Sequence, residues 1–138
     1  MSSQTPEEAQ RAFYAAFEAG DASAMMAAWL DGPASVCIHP GGDALRGGAE
    51  IRRSWRAILA GGGAGRIEFR TISSSQDDGV AVFTGLELIT APGATTPFPP
   101  VLATNVYRKV GDAWLMVLHH ASQVLRTFGP STPDATRH

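Results

Sequence analysis

Apolar residues recur at helical spacing up to Ala60 and at alternating spacing from there on. Thr5-Pro6-Glu7-Glu8 is a helix start, with Thr as N-cap, Pro in the first turn and Glu8 completing a capping box. Ala9, Ala12, Phe13, Ala16 and Phe17 then give that helix one apolar face. Gly20 ends it, and Asp21 caps a short second helix carrying Met25, Met26 and Trp29, which Asp31-Gly32-Pro33 breaks. Ser35–His39 reads as a short strand stopped by Pro40-Gly41-Gly42. A third helix runs from Gly48 to about Ala60, with Ile51, Trp55, Ile58 and Leu59 on one stripe and glycines 61, 62 and 63 as its stop.

Arg66–Ser74 and Val80–Thr90 are strands joined by a turn at Asp77-Asp78-Gly79. In the second, Val80, Val82, Thr84, Leu86 and Leu88 share one face, and Ala81, Phe83, Gly85, Glu87 and Ile89 the other. Pro92 to Pro100 is a loop. Val101 to Ser122 is a hairpin about Gly111-Asp112. With a two-residue loop Val110 faces Ala113, and Tyr107, Asn105 and Ala103 face Met116, Leu118 and His120. Thr104 and Val106 then meet His119 and Val117 on the opposite face, so His120 sides with Asn105, Tyr107, Met116 and Ser122. A longer loop swaps the faces, and alternation leaves open which of the two is concave.

Three helices with one strand among them, followed by four strands in meander, predict an α+β fold: a curved antiparallel sheet wrapped around the helices. The 138 residues make one domain, expected over 1–125, with a flexible tail over 126–138. A net charge of −2 and a pI near 6.0 give no electrostatic reason to expect nucleic acid or an anionic membrane as partner. Cys37 is the single cysteine, which excludes an internal disulfide and a cysteine-built zinc site. No His-x-His or Glu-x-x-His spacing occurs, so neither a metal nor another cofactor is expected. With no long apolar run and no signal-peptide core in MSSQTPEEAQ, the expected location is the cytoplasm.

Three stretches carry a resemblance: FYAAFEAGDASAM at 13–25, VCIHPGGDALRGGAEIRRSW at 36–55 and ATNVYRKVGDAWLMVLHHAS at 103–122. They resemble the SnoaL-like, polyketide cyclase-like branch of the nuclear transport factor 2-like superfamily. The His-Pro turn followed by Gly and Ser-Trp, paired with Ala-Thr-Asn and His-His-Ala-Ser, is the specific part. The resemblance implies a cystatin-like, cone-shaped roll whose open end takes small, often apolar molecules. Ketosteroid isomerases, dehydratases, epoxide hydrolases and cyclases share it with transport adaptors and association domains, so fold alone does not decide function.

His39-Pro40 matches the Asp-Pro pair that ends the first strand of the isomerases, which places a His in the base position. A neutral imidazole there can move protons at physiological pH. The bland reading is a strand-end His bonded to the turn backbone. The isomerase's donors do not carry over. Phe13 matches its Tyr and cannot donate, Tyr14 lies about 100° round the helix, and Thr104 or Asn105 stands where its acid would be. Asn105 can still donate to an oxyanion.

His119 and His120 point to opposite faces, so one lines the cavity and the other an outer contact. Glu87 becomes a base if it faces the cavity and a salt-bridge partner if it faces outward. The expected reading is a pocket for a small hydrophobic molecule with lyase, isomerase or cyclase chemistry. His39 would be the proton shuttle, with Asn105 and His120 as polar partners. Tyr14, Trp29, Trp55, Glu87, Tyr107, Met116, His119 and Ser122 would line the pocket. The alternative is a non-catalytic dimerisation or ligand-sensing module. Both readings expect a homodimer through the outer sheet face, because the strands are apolar on both sides.

Overall fold

The structure, a computed structural model, describes residues 3–124; the tail expected over 126–138 lies outside them. Helix α1 spans Pro6–Ala19 and opens on the expected capping box. Thr5 Oγ1 accepts from the Glu8 N–H at 3.1 Å, and Glu8 Oε1 accepts from the Thr5 N–H at 3.2 Å. Gly20 closes it in the left-handed region at φ 70°, which a residue with a Cβ adopts only under strain. Asp21 caps α2, Ala22–Ala28, through a 3.0 Å bond from the Ala24 N–H. Helix α3, Gly48–Leu59, buries Ile51, Trp55 and Leu59 along its stripe.

Six strands make one sheet: β1 Val36–Ile38, β2 Leu45–Arg46, β3 Arg66–Gln76, β4 Val80–Thr90, β5 Val101–Val110 and β6 Ala113–Gln123. Their order is β2-β1-β6-β5-β4-β3, antiparallel except that β1 runs parallel to β6. The two-residue β2 is too short to leave a periodic trace in sequence. Helix α1 touches both β6 and β3, although β5 and β4 lie between them, so the sheet curls around the helix. The α+β roll expected from the element order is the fold observed.

The core lies between the helices and the concave face, where Phe13, Met25, Ile51, Trp55, Tyr107 and Met116 are fully buried. Ala81, Phe83 and Glu87 are buried on the same face, while Val82, Thr84, Leu86 and Leu88 are half exposed on the other. Alternation puts Gly85 on the concave side, where a Cβ would lie 2.3 Å from the Arg70 carbonyl oxygen and 2.7 Å from ring carbons of Phe69, so the missing side chain seats that ring.

The hairpin corrects the register beyond its turn end. Val110 pairs with Ala113 and Tyr107 with Met116, as a two-residue loop requires. A bulge then leaves Val117 without an opposite residue, and from there Val106 pairs with Leu118, Asn105 with His119 and Thr104 with His120. One inserted residue exchanges the faces of everything after it. His119 therefore enters the concave face. His120 and Ser122, expected to share the face of Asn105, are exposed on the convex one.

Replacing Thr5 by Ala removes the N-cap acceptor of α1, and urea denaturation should show a loss of about 1 kcal/mol without a change of slope.

Candidate functional site

Seven polar side chains gather between α1 and the concave face, all of them buried except half-buried His39. Their donor and acceptor roles form a consistent row. Tyr107 Oη donates to Gln10 Oε1, and Asn105 Nδ2 donates to that same oxygen at 3.1 Å and to Tyr14 Oη at 2.9 Å. Tyr14 Oη donates onward to Glu87 Oε2 at 2.6 Å. His119 Nδ1 donates to Asn105 Oδ1 at 2.6 Å, which leaves its Nε2 unprotonated and 3.9 Å from Glu87 Oε2. At the far end His39 Nε2 lies 2.8 Å from Ser54 Oγ and 3.6 Å from Cys37 Sγ.

Each element delivers one part of the row. Gln10 and Tyr14 are one helical turn apart on α1 and so project together. Glu87, Asn105 and His119 sit on the concave face of β4, β5 and β6; Phe83 pairs with Asn105, and Asn105 with His119. His39 follows β1 at its turn, and its ring centroid is 6.5 Å from that of His119 and 5.0 Å from Trp55.

Burial sets the charges. Glu87 is 2% exposed, and desolvation raises its carboxyl from 4.5 to about 7, opposed by the Tyr14 hydrogen bond. Desolvation also lowers His119 from 6.5 to about 3, with His39 and His120 pushing the same way. Glu87 and His119 thus face each other as neutral groups below neutrality, not as an ion pair, and 3.9 Å is too long for a hydrogen bond. Burial lowers His39 and pushes the Cys37 thiol up to about 12, so the imidazole is neutral at physiological pH and the thiol inert. Tyr14 is raised by its burial and by Glu87, Tyr107 by burial first, so both stay protonated donors.

Tyr14, Trp55, Glu87, Asn105, Tyr107, Met116 and His119 are all buried in the interior, and Trp29 is buried at the end of α2. His120 and Ser122 do not join them. The centre of the cup is filled, since Phe13 packs edge-on against Trp55 at 5.6 Å and lies 5.0 Å from His119. One open groove runs along the seam between α1 and β3, about 500 Å³ in volume and lined by Gln10, Tyr14, Ile67, Phe69, Thr71 and Phe83; another, of about 580 Å³, lies between α1, α2 and the start of β6. Tyr14 thus touches the first groove and bonds the buried carboxyl. Gln10 escaped the sequence reading, although its spacing of four from Tyr14 marks it. Among the described residues no group of three or more His, Cys, Asp or Glu is placed to hold a metal.

The two buried groups act on stability in opposite senses. Native Glu87 keeps its proton up to about 7 whereas the unfolded chain releases it near 4.5, so its contribution is full below 4.5 and lost as pH rises to about 7. The shift corresponds to roughly 3 kcal/mol. His119 contributes stability that is lost as pH falls from 6.5 towards 3. Melting curves of the wild type and Glu87→Gln should therefore diverge between 4.5 and about 7, the wild type losing stability relative to the variant as pH rises.

The SnoaL-like domain family matches residues 7–126. Among curated proteins none matches the chain. A candidate calcium/calmodulin-dependent protein kinase type II association domain from Thiobacillus denitrificans is 38% identical over 91% of this chain and 99% of its own, with a TM-score of 0.85. A candidate dehydratase of the nuclear transport factor 2-like family from Streptomyces avermitilis is 34% identical over 86% and 92%, with a TM-score of 0.71. A cystatin-like protein of unknown function from Nostoc punctiforme shares only the fold, at 15% identity and TM-score 0.72 over 92% and 90%. Among the described residues no helix is long and apolar enough to cross a membrane. A ketosteroid isomerase-like protein from Erwinia carotovora atroseptica likewise shares the fold, at 20% identity and TM-score 0.68 over 87% and 94%. The match over residues 7–126 and the two relatives above 30% identity make this chain a member of the SnoaL-like domain family, within the nuclear transport factor 2-like superfamily.

Proposed function

We propose that the protein binds a small apolar molecule and moves a proton on it, with the Glu87 carboxylate as the base. The supporting observation is a carboxyl 2% exposed and raised to about 7, joined through Tyr14 to a groove. A base is most effective when its pKa is near the working pH, and perturbed carboxyls gather where chemistry is done. Abstraction of a proton next to a carbonyl is the reaction class this favours, as in an isomerase or a dehydratase. His39, the shuttle expected from the sequence, is the second group of the site that can carry a proton, and His119 lies next to both it and Asn105.

Nitrobenzisoxazole tests this with one group. Tyr14 Oη takes the ring C–H proton as it passes its own to Glu87 Oε2, the C–H electron pair closes the nitrile as the N–O bond breaks, and the ring opens to a coloured cyanophenolate. The wild type should accelerate the reaction with a rate that rises with pH through about 7. Glu87→Gln should lower the rate by about 10²-fold or more, the contribution of a positioned base. Loss of activity in His39→Ala with an inflection below 6.5 would transfer the role to His39.

A second reading is an assembly module. The convex face supports it, since among the described residues no helix covers Val82, Leu86, Leu102, Val106 and Leu118, and a 38% identical relative is described as an association domain. In both readings the protein works in the cytoplasm as a homodimer through this face. Sedimentation at micromolar concentration should give a dimer for the wild type and a monomer for Val106→Asp, because an unpaired charge buried at an interface opposes association. A Val106→Asp monomer that keeps the nitrobenzisoxazole rate would separate assembly from chemistry.

A further inference from the structure

Ser54 and His39 meet where the end of β1 faces the middle of α3. Ser54 Oγ is 2.8 Å from His39 Nε2, and among the described residues it has no other hydrogen-bond partner. A serine in mid-helix turns its hydroxyl to water or back to the carbonyl four residues earlier; Ser54 points at a ring nitrogen instead. Cys37 Sγ lies 3.6 Å from the same nitrogen, and burial pushes that thiol up to about 12, so it too keeps its proton. The tautomer that lets both groups donate leaves Nε2 bare and puts the ring hydrogen on Nδ1.

The pair is held and reachable at once. Trp55 stands edge-on to the His39 ring at 5.0 Å, and burial lowers the imidazole, which is neutral at physiological pH and free to take a proton. Ser54 and His39 are both half-buried, and Pro40, Gly41 and Gly42 after His39 are exposed. A Cβ at Gly41 would meet nothing within 4 Å, so the turn that follows His39 opens to solvent. Ile58 follows Ser54 by one turn on the same face of α3, and at 41% exposed it offers apolar surface next to the hydroxyl. Neither Ser54 nor His39 lines either groove beside α1, so a substrate held here is small.

We propose that Ser54 is a nucleophile with His39 as its base, a second reactive centre that hydrolyses a small ester with a short apolar acyl chain. Ser54 Oγ bonds to the ester carbonyl carbon as its proton passes to His39 Nε2, and the alcohol leaves with that proton as its C–O bond breaks. Water then adds to the acyl carbon as His39 takes its proton, the acid leaves, and Ser54 Oγ recovers the proton from His39. This centre stands apart from the reading of Glu87 as a base, since among the described residues no hydrogen bond links the pair to Tyr14 or Glu87.

The test is to mix the whole chain with p-nitrophenyl butyrate, follow nitrophenolate release, and locate the butyryl group by peptide mass spectrometry after an acid quench. The wild type should turn the ester over and carry the label on Ser54. Ser54→Ala and His39→Gln should each lower the rate by about 10²-fold or more. Phenylmethanesulfonyl fluoride should stop turnover, its sulfonyl group going to Ser54 Oγ while fluoride leaves with the proton. Ile58→Ser, on the helix surface, should reduce the preference for the butyrate over the acetate ester.

A label on Cys37, Lys109 or His120 in place of Ser54, an unaltered rate in Ser54→Ala, or no release above buffer would each overturn the proposal. If Ser54→Ala does not fold, the positions of the butyryl and sulfonyl groups on the wild type still decide. Ester turnover by a protein inert towards nitrobenzisoxazole would remove Glu87 as the base and leave the Ser54–His39 centre standing. Nitrobenzisoxazole turnover without ester turnover would do the reverse.

Discussion

A carboxyl, an amide and an imidazole taken out of water must find partners for their hydrogen bonds or give up their charge. Glu87, Asn105 and His119 stand on three neighbouring strands of the concave face, and α1 supplies the groups that satisfy them, Gln10 and Tyr14. Apolar packing alone would tolerate several rotations of α1 against the sheet. A rotation of one residue, about 100°, would strand Glu87, Tyr107 and the Asn105 amide N–H, so the polar contacts select one seating of the helix. Burial holds the proton on Glu87 up to about 7 against the pull of the Tyr14 hydrogen bond, and a carboxyl that ionises near neutrality is able to take up chemistry at ordinary pH.

The filled interior and the open seam follow from that seating. With α1 drawn onto β4 and β5, Phe13 reaches Trp55 and His119 and closes the middle of the cup. The space left over lies on the other flank of the helix, where Phe69 occupies the room that Gly85 leaves free. The cystatin-like roll thus has two usable surfaces with different physics. One is a polar-floored groove beside α1, suited to a small molecule. The other is a convex sheet face of half-exposed branched side chains, suited to another flat apolar face.

These surfaces need not compete. Relatives above 30% identity are described in one case as an association domain and in the other as a dehydratase. In this chain the residues of the two faces alternate along the same strands, so each can change without disturbing the other. Thr84, Thr104 and His120 lie side by side on the convex face while their neighbours Phe83, Asn105 and His119 serve the concave one.

Sequence alone determined every element but β2, because their causes are local. The Thr5–Glu8 box, Gly20, Asp21 and the glycines after α3 act within a few residues, and strand alternation put Glu87 on the face of Ala81 and Phe83. It also determined the Gly111-Asp112 turn and the pairing from Val110 to Tyr107. Tertiary structure decided what happens after Val117. A bulge there is stabilised by what the shifted side chains meet across the sheet, and it turned His119 inward to Asn105 and His120 out to solvent. It also decided that Gln10 belongs to the site and that the open space lies beside α1, since both depend on which groups five separate elements bring within hydrogen-bonding distance, and no local pattern records that.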